Sequence, residues 1–262
     1  MDPLTYRRGR AFFGSQFVRL VFGVVCFVSL NSTLVLADLF TYNNSANFNT
    51  AIAGRAATTI NFDVNAGGAP IADGTVLPNN SFFQGIRFDP NNSVTGDLIV
   101  TNGSVAFSPG LKTFSGLNYL GSSVGDVIKQ SFVFQFQLPV TSVGLYIISP
   151  SELLSNEVGI SVGTTSSLIS STTVIDLGPT AGSLTRSFAY FIGIVESNPA
   201  LTFTNLTVNP NLSGVVDGIG IDNITFTAVP EPTSLLSICM AALVAVFFRR
   251  KRVLAYATVR RT

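Results

Sequence analysis

The chain has 262 residues, a formal net charge of +1, no histidine, no tryptophan and two cysteines. Without histidine, Ser-His-Asp and Cys-His catalysis are excluded and zinc hydrolase chemistry is disfavoured, because the commonest general base and neutral metal ligand is missing. The near-zero charge averages unlike parts: residues 38–228 hold five basic residues against twelve acids, a net charge of −7, and these few scattered cations leave no footprint for nucleic acid.

The first segment carries Arg7, Arg8, Arg10 and Arg19, then the apolar run 20–30, then Val35-Leu36-Ala37. A positive region, a short apolar stretch and a small residue at the end predict a signal helix. The stretch is too short to span a bilayer, so residues 1–37 are expected to be removed after Ala37 by signal peptidase, following export through the Sec translocon. Cys26 lies in that run and Cys239 near the other end, so residues 38–228 contain no cysteine. An exported domain of roughly 190 residues without disulfides must rest on an apolar core, and that length suffices for one.

From residue 38 onward the dominant period is two. Strands are expected at 58–63, 81–88, 97–101, 158–163, 172–177 and 201–208, and one helix at 46–53, where Phe48 and Ile52 are four apart and Gly54 offers a stop. Phe132, Phe134, Phe136 and Leu138 alternate with polar or smaller residues. Val143, Leu145 and Ile147 follow past Pro139, and Phe188, Tyr190, Ile192 and Ile194 repeat the pattern. The last strand is read with Ile219 and Ile221 on one face and Asp222, Ile224 and Phe226 on the other. About ten short strands between Gly, Asn, Ser and Pro clusters predict an all-β fold, a single antiparallel β-sandwich of the jelly-roll kind.

Candidate chemistry is sparse. Most acids sit in turn-like pairs such as Asp73-Gly74 and Asp89-Pro90, where bonding to the local backbone accounts for them. Asp63, at the end of an early strand, and Asp222, within the last, are candidates to share a calcium ion. The alternative is that Asp63 caps a turn and Asp222 accepts backbone N–H bonds. No other cofactor is expected. A carboxylate-based glycosidase needs only two facing acids and stays open as a minor reading, but the expectation is a non-enzymatic protein. A sugar-binding face would use flat aromatic rings, for which Tyr146, expected to be exposed, and Tyr119, expected in a loop, are the candidates; Tyr190 is read as core.

The end of the chain is the most specific part. Val229-Pro230-Glu231-Pro232-Thr233 keeps the backbone extended, because each proline fixes its own φ and disfavours helix before it. The apolar run 235–248 follows as a membrane helix, and Arg249, Arg250, Lys251 and Arg252 form a basic stop that stays out of hydrocarbon. Residues 229–252 resemble the PEP-CTERM sorting signal of bacteria, and residues 253–262 are read as a short cytoplasmic tail. The resemblance implies recognition at Pro230, Glu231 and Pro232 by an exosortase, a membrane cysteine transpeptidase-like enzyme. Release, surface attachment or transfer to an extracellular matrix would follow. The signal departs from the common pattern by its ten further residues and its short apolar run, which as helix would extend about 21 Å against ~30 Å of hydrocarbon. A marginal anchor suits a segment that is held transiently and then processed.

Residues 38–228 more loosely resemble exported PEP-CTERM proteins similar to carbohydrate-binding-module or galactose-binding-like sandwiches. The implied role is a cell-surface or matrix protein of the cell envelope. The alternative is a glycan-binding module partnered with extracellular polysaccharide.

Overall fold

A computed structural model describes residues 38–89, 91–103, 111–125, 127–179, 186–198, 201–210 and 218–229, all within one unit of the chain, Asp38–Thr262. The signal region with Ala37, and the sorting motif with Pro230, Glu231, Pro232, the apolar run and the basic stop, lie outside the described residues. The elements in chain order are β1 (Leu39–Tyr42), α1 (Ser45–Ala51), β2 (Ala57–Ile60), β3 (Thr75–Val76), β4 (Ile86–Phe88), β5 (Leu98–Thr101), β6 (Tyr119–Ser122) and β7 (Phe132–Ser149). There follow β8 (Gly159–Val162), β9 (Thr165–Leu168), β10 (Ile175–Pro179), β11 (Arg186–Glu196), β12 (Phe203–Asn209) and β13 (Gly220–Ala228). Every strand pairing among them is antiparallel, so the all-β, antiparallel expectation stands.

Strand β7 organises the sheet. Its first half pairs β4 and β12, with β8 and β9 beyond β12; its second half lies between β11 and β13. Beyond β11 are β1 and β10, and beyond β13 are β2 and the run β6, β5, β3. Pro139 separates the halves. It has no N–H to give the ladder, and the pairing shifts register beside it on both neighbours, between Phe203 and Asn205 and between Thr227 and Ala228.

The shift changes which residues face inward. Phe132, Phe134 and Phe136 enter the core before the break, and Val143, Leu145 and Ile147 after it, an exchange of even for odd positions. Leu138, expected to continue the inward row, is instead 37% exposed. Both halves feed one apolar cluster, and the Phe136 ring lies 6.2 Å from Phe203 and 5.4 Å from Phe226, so the sheet folds over on itself.

A second phase change corrects the reading of β13. Asp222 pairs with Tyr146 and Thr225 with Gly144, so Asn223 and Ile224 together oppose Leu145, a bulge with Asn223 at φ 47°. The extra residue turns Ile224 and Phe226 to the side of Ile219 and Ile221, and all four join the core while Asp222 faces away.

The other face of the second half is covered too, which alternation alone does not predict. Asn44 caps α1, its side chain accepting from the N–H of Ala46 (2.9 Å) and Asn47 (3.2 Å). The helix lays Phe48 over Gly144 and Gly193, which face each other across β7 and β11. A Cβ at Gly144 would stand 2.9 Å from the Phe48 ring and one at Gly193 2.7 Å from it, so both glycines are space for that ring. Phe48, Tyr119, Tyr146, Ile148 and Phe191 form a second apolar cluster here.

Expected strand ends moved for local reasons. The segment 81–88 contains a tight turn, because Gln84 and Gly85 both have positive φ and Phe83 and Ile86 exchange backbone bonds; only Ile86–Phe88 is strand. Within 172–177, a 3-10 turn at Ser171–Thr173, capped by Ser170, delays the strand to Ile175.

Candidate functional site

Residues 111–118 cross the outer face of the sheet as a strap. The Lys112 N–H donates to Ser187 Oγ of β11 (2.9 Å), and Phe114 stacks on Tyr146 of β7, with ring centroids 3.7 Å apart and planes at 13°. The Ser115 N–H donates to Asp222 Oδ2 of β13 (2.9 Å), and the Ser115 hydroxyl bonds the Asn223 side chain (2.9 Å). Past β2, Asp63 Oδ1 accepts from the N–H of Leu117 (2.8 Å) and Asn118 (3.0 Å), while the Asn118 amide donates to the carbonyls of Phe62 and Ile71.

Local backbone aims both acids. Strand β2 stops before its expected end because Phe62 takes φ 61°, and Asn61 Oδ1 accepts the Asp63 N–H, which turns Asp63 out of the strand toward the strap. Asp222 precedes the bulge, and its Oδ1 accepts the Asn223 N–H (2.7 Å). Gly116, at φ +65°, makes the close approach, since a Cβ there would stand 1.6 Å from Asp63 Oδ2.

The two calcium candidates are thus brought to one strap. Asp222 is fully buried. That burial pushes its carboxyl up to about 7; the N–H groups of Ser115, Asn223 and Phe114 pull it down, and the Asp63 charge adds a smaller upward push. Both Asp222 oxygens and one oxygen of Asp63 accept bonds from backbone N–H groups. No group of three or more metal-capable side chains occurs among the described residues. What this arrangement does chemically is hold the strap.

The two glycan candidates are placed differently from expectation. Tyr119 opens β6 rather than lying in a loop and is fully buried, and Tyr146 is 8% exposed, under Phe114. Alternation put Tyr146 on the outer face correctly, but a strap distant in sequence closes that face. Tyr190 is core, with its hydroxyl accepting the Leu153 N–H at 2.7 Å. Ser115, Gly116, Asn118 and Asn223, which complete the strap's attachment, carried no signal beyond a turn-like composition. Another polar groove is lined by Asn79, Asp89, Asn92 and Asp97. There Asp89 accepts from Ser93 Oγ and the Val94 N–H, a turn-acid role.

At the far end of the sheet, β13 leads into the sorting segment. Its last residues are paired, Ala228 with Val140, and the Val229 N–H donates to the Pro139 carbonyl at 2.9 Å. An antiparallel β domain whose final strand runs into a Pro-Glu-Pro, apolar and basic tail defines a domain delivered by a C-terminal signal. The PEP-CTERM protein-sorting motif family matches residues 228–252. Residues 228–252 are thus a PEP-CTERM sorting motif, which implies an exosortase-targeted protein exported to the cell envelope. No curated protein and no solved structure matches the chain.

Proposed function

We propose that this is a non-enzymatic cell-surface or extracellular-matrix protein, held briefly at the membrane by its tail and matured by an exosortase. The observation that carries the reading is the sorting motif at 228–252, with the tripeptide Pro230, Glu231, Pro232 ahead of an apolar run and the Arg249 to Arg252 stop. The N-terminal segment acts as a signal peptide cleaved after Ala37. The antiparallel sheet folded over one core supports a sandwich of the jelly-roll kind as the exported cargo.

The acids support a structural role. Asp222 is buried with both oxygens bonded to backbone, and Asp63 ties the same strap. The burial of Tyr119 and Tyr146 supports the non-enzymatic surface reading over one in which these two rings bind a glycan.

Replacing Glu231 by Ala, and separately truncating after Phe248, should each leave the protein with an altered mature mass or location. Unchanged maturation and surface delivery in both variants would sink the reading.

A further inference from the structure

The two halves of β7 present different outer faces. The strap and α1 close the outer face of the second half. On the first half the outward side chains are exposed or half-buried, and strand register lays them out in polar rows. One row runs from Arg87 of β4 through Gln135 of β7 to Asn205 of β12. The next runs from Thr207 of β12 through Ser161 of β8 to Ser166 of β9. Their chain neighbours Ile86, Phe134, Leu206 and Ile160 point the other way, into the core. Adjacent strands lie about 4.8 Å apart, so the five strands from β4 to β9 make a face about 19 Å across.

Three features separate this face from an ordinary solvated sheet. Soluble surfaces mix charges of both signs, but Arg87 is the only charge in the two rows. Its guanidinium donates to Gln135 Oε1 and lies over the Phe82 ring, 5.7 Å from the centroid, and that ring is 43% exposed at the end of the row. Asn205, Thr207, Ser161 and Ser166 have no side-chain hydrogen-bond partner among the described residues, so the fold does not use them. Beside the two serines, Gly159 brings no side chain. This leaves a pit of about 30 Å³, also lined by Asn209, with room for one water-sized group. We propose that this face binds an uncharged polysaccharide, laid across the strands from Phe82 to Ser166. Amides and hydroxyls both donate and accept, which matches sugar hydroxyls, themselves donor and acceptor at once. The Phe82 ring offers a flat apolar surface to the C–H side of one sugar ring, and the pit admits a single hydroxyl. Other ligand classes fit less well. A protein partner needs an apolar centre with buried anchors, which the two rows lack. Nucleic acid or an acidic polysaccharide needs several cations, and the net charge of −7 on residues 38–228 repels both. Neither Tyr119 nor Tyr146 takes part, and the face is the same whether or not the tail is processed.

The test runs the full chain, in detergent, by native affinity electrophoresis through gels containing dextran, xylan, pullulan or hydroxyethyl cellulose, with alginate as the acidic counterpart. Retardation by at least one of the four neutral polymers is expected. Asn205→Ala, Gln135→Ala and Phe82→Ala should each weaken it about fivefold or more, the loss that goes with one hydrogen bond or ring contact. Thr58→Ala, at an exposed position of β2, should leave it unchanged. Thermal melts show that each variant is folded, and Asn205→Ala, at an exposed position, keeps the test decisive if Phe82→Ala is not. No retardation by any neutral polymer overturns the proposal, and so does retardation that folded Asn205→Ala and Gln135→Ala leave intact. Retardation by alginate alone, abolished by salt, is a charge effect and overturns it too.

Discussion

Asp222 carries a carboxyl into a site without solvent, and its titration has a definite sign. Its folded value is raised to about 7 from an ordinary 3.8, chiefly by burial. Between about pH 4 and pH 7 the unfolded chain has released a proton that the folded chain retains, so this group lowers stability as pH rises, and its effect levels off above pH 7. The shift corresponds to a loss on the order of 4 kcal/mol. Asp222→Asn removes that slope but sets an amide donor against a backbone N–H, at a cost of about 1–3 kcal/mol. Denaturant unfolding at several pH values should therefore show the variant less stable than wild type at pH 4, with the gap closing or reversing by pH 8; a gap independent of pH would refute the assignment. Gly116 offers a second test at this scale. Gly116→Ala adds a Cβ into the Asp63 carboxylate and should cost more than about 2 kcal/mol. Gly54→Ala, at φ +82° with nothing near its Cβ, should cost only about 1 kcal/mol. Equal losses for the two would show that backbone strain alone, and not the Asp63 contact, fixes Gly116.

At the scale of elements, α1 and the sheet are joined by one ring over two glycines. Phe48→Ala should cost about 3–5 kcal/mol, because the ring is fully buried. Gly144→Ala should destabilise as well, since its Cβ would meet Phe191 at 2.6 Å and Phe48 at 2.9 Å. Removing the Phe48 ring frees part of that space, so the double variant should lose less than the sum of the two single losses in a double-mutant cycle. Strict additivity would mean that the ring and the glycine do not meet. The same scale shows what was legible in the sequence. Long alternating runs such as Phe188 to Ile194 report on immediate neighbours, and they became strands. The phase shifts at Pro139 and Asn223 were not legible, because a bulge is set by the register of the partner strand. Short β3 and β6 carry too few residues to show a period. Asp63 and Asp222 could be paired in advance as candidates, but the strap that binds them comes from residues 111–118, about fifty positions from one and a hundred from the other. Composition does not encode that contact, and the burial of Tyr146 follows from it.

For the whole molecule, the order of the chain and the order of the sheet are at odds, and export makes that consequential. The last described strand to be synthesised, β13, is central: it pairs the second half of β7 and is the partner of β2 and β6. A chain crossing the membrane amino terminus first cannot complete its main core until Ile219, Ile221, Ile224 and Phe226 have emerged, since all four lie in that core. The domain therefore closes just as the sorting segment arrives. A chain ending at Val229 should fold cooperatively and resist protease without any reducing-agent dependence, because residues 38–228 hold no cysteine. A chain ending at Gly218 removes four core side chains, leaves β2 without its strand partner and leaves the second half of β7 paired on one edge only, so it should be protease-sensitive and lack a cooperative thermal transition. Circular dichroism melts and limited proteolysis of the two truncations provide the comparison. If the shorter chain melts cooperatively within a few degrees of the longer one, β13 is an accessory strand, and coupling between closure of the domain and presentation of the signal is lost. If only the longer chain folds, β13 completes the domain, and the sheet is finished by the last strand before the sorting motif in the chain.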